Sequence, residues 1–192
     1  GEEAVLEICR EIIASRHQGE KKEALLERMA RVQGVYVPSF FRPEYGTDGR
    51  IREMVLLKND LPPVTRRILP DLEAGAFPSR PILPFMEVIH DRLNIEIARG
   101  CTRGCRFCQA GMIYRPLRER SPRKILDLVK AGLENTGYDE VSLLSLSTGD
   151  YSCIDPLIAS ILEHTRAGRV AVSFPSLRVE TLTPSLIQRV QE

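Results

Sequence analysis

The sequence has no excess of either charge: 27 lysines and arginines face 26 aspartates and glutamates, a net +1. That balance gives no electrostatic case for a membrane-surface partner and leaves nucleic acid undecided, because local basic clusters are still open to an anion. Long apolar runs are also missing. The longest are a handful of residues, far short of the roughly 20 needed to span a bilayer. No basic stretch followed by an apolar one marks the N-terminus as an export signal. These absences predict a cytoplasmic protein. Neither an internal repeat nor a low-complexity tract is present. Cysteine is scarce, with five residues too unevenly placed for a disulfide scaffold. Cys9 and Cys153 stand alone and read as small buried hydrophobes. Cys101, Cys105 and Cys108 fall within eight residues, and thiols so clustered suggest a metal. What is plentiful is ordinary: 43% apolar and 28% charged residues are the balance of a globular protein with enough apolar surface for a core.

Residues Glu2 to Ser15 place Val5, Ile8, Cys9 and Ile12 on one helical face, and Lys21 to Val32 repeats the pattern with Leu25, Leu26 and Met29. After Gly34, the stretches Val35–Val37, Phe40–Phe41 and Arg50–Leu57, with a Gly46–Gly49 turn, predict a small β-hairpin. Six prolines between Asp60 and His90 forbid long regular elements. That connector is still apolar enough, at Ile68, Leu69, Phe77, Ile82, Leu83, Phe85 and Met86, to predict a packed segment. Strands then alternate with helices. Leu93–Ala98 is the first strand; Ser121 as N-cap, Pro122 at the first position and Gly137 at the end bound the first helix. Val141–Leu146 is apolar enough for a strand covered on both faces, and Asp155–Pro156 opens the next helix. Arg169–Phe174 is a third strand, and Thr183–Pro184 begins a helix that runs to Glu192. The expected fold class is therefore α/β, with parallel strands in a doubly wound sheet or part of a β/α barrel. The domain reading is an α+β region over 1–59, a connector over 60–91 and about three β/α units over 92–192. Three parallel strands leave an open edge, so the natural protein is expected to continue beyond Glu192.

The cysteine loop, Cys101-Thr-Arg-Gly-Cys105-Arg-Phe-Cys108, follows the first strand, with Gly100 and Gly104 available for close turns. Soft thiolates favour iron–sulfur clusters, zinc or Cu(I), and a cluster held by four cysteines would need one more than this loop supplies. A cubane with three such ligands leaves one iron open to a chelating substrate, much as catalytic zinc keeps one open position. In a parallel β/α array the loops after the strands emerge together where active sites form. The cysteine loop is thus expected to face Ser147-Thr148-Gly149-Asp150 and Pro175-Ser176-Leu177-Arg178. Gly149 would let a ligand approach the backbone, Asp150 would receive an ammonium and Arg178 would pair with a carboxylate. The six arginines at 99, 103, 106, 115, 118 and 120 point to an anionic substrate or a solvated face. His17, His90 and His164 are isolated and receive no catalytic role.

The C-x3-C-x2-C spacing, with Phe107 just before the last cysteine, resembles the signature of the radical SAM superfamily. The Ser147–Asp150 stretch resembles that family's loop after the second strand, matching in Gly149 and Asp150. The resemblance spans about Leu93 to Glu192, half of an incomplete (β/α)6 barrel. It implies a [4Fe-4S] cluster on Cys101, Cys105 and Cys108, and S-adenosylmethionine whose amine and carboxylate chelate the remaining iron. One electron from a small redox protein then cleaves the sulfonium bond to a 5′-deoxyadenosyl radical. Phe107 would line the adenine, Ser147, Thr148, Gly149 and Asp150 the methionyl amine, and Ser176 or Arg178 the carboxylate or ribose. Gly1-Glu2-Glu3, Gly34–Ser39 and Asn94–Gly100 further resemble a cobalamin-associated radical SAM group, in which a B12-binding domain precedes the barrel. That likeness implies cobalamin and a B12-binding domain, with the other barrel half, in the parent protein, while no B12-ligand histidine motif occurs here. Within the enzyme class, methyl transfer and methylthiolation are the rival outcomes. The alternative to an enzyme is a binding module braced by zinc or an iron–sulfur cluster, its zinc completed by His90 or Cys153.

Overall fold

The computed structural model describes residues 1–86 and 88–191. The chain divides into two compact units, Gly1–Leu69 and Pro70–Glu192. The division falls inside the proline-rich stretch.

In the first unit, α1 (Glu2–Gln18) ends at Gly19, whose left-handed backbone returns its N–H to Arg16, and α2 (Lys22–Ala30) packs against it. Strands β1 (Phe41–Tyr45) and β2 (Ile51–Leu56) form the expected antiparallel hairpin, with Phe41 opposite Leu56. A small core of Val37, Phe40 and Leu61 is joined by Leu26, Val35 and Leu56. Two expectations fail here. Val35–Val37 is not a strand; the chain passes into a 3-10 turn at Pro38–Phe40, where Pro38 has no N–H to give a ladder. Cys9 is exposed, not buried, because Ile8 and Ile12 turn inward while Val5 and Cys9 face outward.

The second unit is built on a parallel sheet of β3 (Leu93–Glu96), β6 (Glu140–Leu144) and β7 (Ala171–Ser173), in the order β3-β6-β7. Leu93 pairs with Val141 and Glu140 with Ala171. Helices α4 (Pro122–Thr136) and α5 (Ile154–Thr165) join the strands and share one core with one sheet face. Leu93, Ile95, Val141 and Leu143 point into it with Ile125, Val129, Leu157 and Ile161. Sequential strand order with both helices on the same face is single winding over these three strands, the arrangement of part of a β/α barrel and equally of one half of a doubly wound sheet. The caps of α4 are as read: Ser121 Oγ accepts from the Lys124 N–H at 3.1 Å, and Gly137 takes the left-handed position. Helix α6 (Pro184–Gln191) starts where expected, with Thr183 Oγ1 accepting from the Leu186 N–H; its expected end at Glu192 lies outside the described residues.

Other boundaries moved. The first strand stops at Glu96, and Ala98–Arg99 (β4) pairs instead with Arg118–Glu119 (β5) in a separate antiparallel ribbon. Strand β6 is covered on both faces over most of its length and opens at its end: Val141 and Leu143 on one face and Ser142 on the other are buried, whereas Leu144 is 39% exposed. Helix α5 is capped at Cys153 rather than opened by Asp155, and Cys153 is exposed. The proline-rich segment packs only in part. Leu72 is buried and Phe77 lies against the core, but Ile82, Phe85 and Met86 are exposed. Among the described residues no helix is long and apolar enough to cross a membrane.

Candidate functional site

Parallel pairing sends the chain out of β3/β4, β6 and β7 at one edge of the sheet, and three loops meet there. The first begins at Gly100, with φ +97; a Cβ would stand 2.6 Å from the Tyr114 carbonyl oxygen and 2.7 Å from that of Pro116. Only glycine lets β4 turn so tightly beneath the returning chain. The loop then reverses at Cys105, whose carbonyl accepts the Cys108 N–H at 3.0 Å, before the short helix α3 (Ala110–Ile113). Cys101, Cys105 and Cys108 are all half-buried and line one cavity of about 150 Å³ together with Arg103, Phe107, Ser147 and Arg178.

Each of the three sulfurs faces an N–H donor. The Arg103 backbone donates to Cys101 Sγ at 3.3 Å, the Gly111 backbone to Cys108 Sγ at 3.4 Å, and Arg178 Nη1 to Cys105 Sγ at 3.1 Å. Hydrogen bonds to sulfur of this kind surround the ligands of iron–sulfur clusters. Arg178 also reaches Glu180 at 3.1 Å, and its pKa is raised first by the Cys105 sulfur and then by that carboxylate.

The loop after β6 is a tight 3-10 turn, Thr148–Asp150. Thr148 is fully buried, and its hydroxyl donates to the Pro175 carbonyl at 2.7 Å while its N–H reaches Ser176 at 3.3 Å. It therefore ties the second and third loops together and does not line the cysteine cavity. Ser176 adopts a left-handed backbone, φ 62, and its side chain is exposed. A Cβ on Gly149 would collide with the Thr181 side chain, so this glycine admits the third loop, a role the sequence reading gave to a ligand. Asp150 is held in place twice. Arg103 grips it bidentately, Nε to Oδ2 at 2.9 Å and Nη2 to Oδ1 at 2.5 Å, and Ser147 Oγ donates to Oδ2 at 2.7 Å. The Arg103 hydrogen bonds hold the Asp150 carboxyl below the usual aspartate range; burial opposes this, and Ser147 adds to it.

The three predicted loops are thus brought together, linked by Arg103–Asp150, Arg178–Cys105 and Thr148–Pro175. Phe107 lines the cavity while 92% exposed. Neither His90 nor Cys153 lines it. Among the described residues no three His, Cys, Asp or Glu side chains surround a point where one metal ion would sit. Arg103 was missed by sequence reasoning, which counted it among six arginines of a basic stretch. Its one signal was its place inside the cysteine loop, opposite a loop ending in aspartate.

Residues 95–192 match the pattern of the Radical SAM superfamily. The chain belongs to that superfamily. It is also 37% identical over 94 residues to an uncharacterized protein of Methanocaldococcus jannaschii, a stretch covering 49% of this chain and 20% of that protein. The chain thus matches about a fifth of that relative's length. Membership of the radical SAM superfamily implies a [4Fe-4S] cluster and S-adenosylmethionine. The donor set fits: three thiols line one cavity, each facing an N–H donor, and soft sulfur ligands with hydrogen bonds to them are what an iron–sulfur cluster uses.

Proposed function

We propose that the second unit binds a [4Fe-4S] cluster through Cys101, Cys105 and Cys108, and binds S-adenosylmethionine beside it for reductive cleavage. When bound, the cluster supplies one electron to the sulfonium of S-adenosylmethionine, giving methionine and a 5′-deoxyadenosyl radical. The observation that carries this reading is the meeting of three half-buried thiols with an acidic turn and Arg178 at one edge of a parallel sheet. Cys101, Cys105 and Cys108 hold three irons and leave the fourth open. Asp150 receives the methionyl ammonium, and Ser147 orients that carboxylate. Arg178 donates to Cys105 Sγ and stands ready for the methionyl carboxylate, with Ser176 on the same loop. Phe107 covers the adenine, and Gly149 and Thr148 keep the second and third loops packed so that the subsites stay in register.

Single winding with helices on one sheet face supports half of a (β/α)6 barrel over residues 92–192, preceded by a small α+β region over 1–59 and a connector over 60–91. In the longer parent protein we assign the remaining barrel, a B12-binding domain with cobalamin, and a small redox protein as electron donor. Methyl transfer or methylthiolation is the corresponding reaction.

The test is electron paramagnetic resonance on the protein reconstituted anaerobically with iron and sulfide and reduced with dithionite. A reduced cluster signal that shifts when S-adenosylmethionine is added is the expected result. A signal indifferent to the cosubstrate, in this chain and in the longer protein, would sink the proposal in favour of a coordinatively closed binding module.

A further inference from the structure

The carboxylate assigned to the cosubstrate's ammonium already has a cation. Arg103 Nε and Nη2 take Asp150 Oδ2 and Oδ1, and Ser147 Oγ takes Oδ2 again, so three of the roughly four acceptor directions of the carboxylate are filled. An ammonium needs those same oxygens. Arg103 comes from the loop that carries the cysteines, two residues from Cys101 and two from Cys105. The guanidinium is therefore both a tether between the loops and a competitor for the acidic turn. Its side chain is 43% exposed, against 20% for Asp150, so it can swing outward without disturbing a core. Glu180, on the third loop, adds a second negative charge acting on Arg103. Arg115 lies beneath the tether, donating to the carbonyls of Cys101 and Arg103 at 3.4 Å each, so the loop backbone has a support of its own when Arg103 leaves.

We propose that Arg103 is the resident cation of the Asp150 carboxylate: it closes the cysteine loop onto the acidic turn in the absence of cosubstrate, is displaced by the ammonium of S-adenosylmethionine, and so sets the affinity for it. This rests on the reading of Asp150 given above. Binding carries the cost of opening the ion pair, and the apparent affinity falls by the fraction of molecules in which the carboxylate is free. Because both partners reach solvent, that cost is modest and is screened by salt. A residue that merely supported the site would have the opposite signature, since its loss would weaken binding.

The experiment is equilibrium binding of S-adenosylmethionine to the cluster-loaded chain, comparing the parent with Arg103→Gln, Arg103→Lys and Asp150→Asn. Arg103→Gln is expected to bind roughly three- to tenfold tighter, by removing the competitor. Arg103→Lys should fall between it and the parent, and Asp150→Asn should bind more weakly than the parent. Unchanged or weaker binding by Arg103→Gln, at the parent's iron content, would overturn the displacement while leaving the assignment of the cosubstrate intact. Failure of the cluster-loaded parent to bind at all would overturn both. Should Arg103→Gln lose its cluster, hydrogen exchange on the cluster-free proteins decides. Faster exchange at 101–108 and 147–150, with β3 and β6 unchanged, supports the tether; identical exchange throughout would overturn it.

Discussion

In the N-terminal unit Arg67 reaches Glu3 at 2.8 Å and Glu7 at 2.7 Å; in the second unit Arg103 reaches Asp150 at similar distances. The contacts are alike, and their surroundings are not. Arg67 staples the segment after the hairpin to α1, and the nearby depression on the helix pair is lined by Glu7, Arg10, Glu11, Arg28 and Arg31, with no sulfur. Arg28 there is taken up by Glu11 and Glu20. Arg103 instead spans two loops at the ends of parallel strands, beside three thiols, and holds the acidic group proposed to receive the cosubstrate's ammonium. An ion pair therefore says little about function until its neighbours and its place in the topology are known. Each pair has one half-buried and one more exposed partner, and pairs that reach solvent in this way add little to stability, so the two differ chiefly in what they occupy.

The comparison breaks most decisively at the cysteines. Cys101→Ala, Cys105→Ala and Cys108→Ala should each abolish cluster retention, whereas Cys9→Ala and Cys153→Ala, both at exposed thiols, should leave iron content near the parent's. Iron and sulfide analysis after anaerobic reconstitution checks this, and full retention in all three loop variants would remove the basis of the site. Next in size are the cores. Leu143 is completely buried among β3, α4 and α5, so Leu143→Ala should cost about 3–4 kcal/mol. Leu61, in the smaller core of the first unit and 7% exposed, should cost about 2 kcal/mol on replacement by alanine. Denaturant midpoints followed by far-ultraviolet circular dichroism give the ranking; a reversed order would mean that the small unit packs more tightly than its buried residues indicate.

How much of this was legible in the sequence depended on how local each cause was. Helix α4 could be read to the residue because Ser121, Pro122 and Gly137 act on their own turns. The cysteine spacing and the three strand-end loops were legible for the same reason, the topology following from alternating strands and helices. The break of the first strand at Ile97 was not, because its cause is the pairing of Ala98 with Glu119, distant in sequence. Nor was the occupant of Asp150, 47 residues from Arg103, since both residues had plausible solvated roles. Exposure was misjudged at Ile82, Phe85 and Cys9, where apolar character predicted burial that no neighbouring element supplies within its own unit. Gly149 was read as a ligand's approach, yet it is Thr181 that needs the space.

The smallest expected effect sharpens the comparison from the other side. Arg67 holds the Glu7 carboxyl below the usual glutamate range, through its hydrogen bond first; burial opposes that shift, and the charges of Arg67 and Arg10 reinforce it. A carboxylate with a depressed folded-state pKa contributes its stability above the unfolded-state pKa and loses it as pH falls through the folded-state value. The first unit should accordingly weaken on acidification through and below the ordinary glutamate range, and Arg67→Gln should flatten that dependence while shifting the neutral-pH midpoint only slightly. Thermal unfolding from about pH 6 to about pH 3 checks the slope. At neutral pH the same variant should retain iron and bind S-adenosylmethionine as the parent does, in contrast to the tighter binding expected of Arg103→Gln. Equal responses of the two variants would mean that the surroundings of the pairs do not matter, and the distinction between a staple and a placeholder would fall.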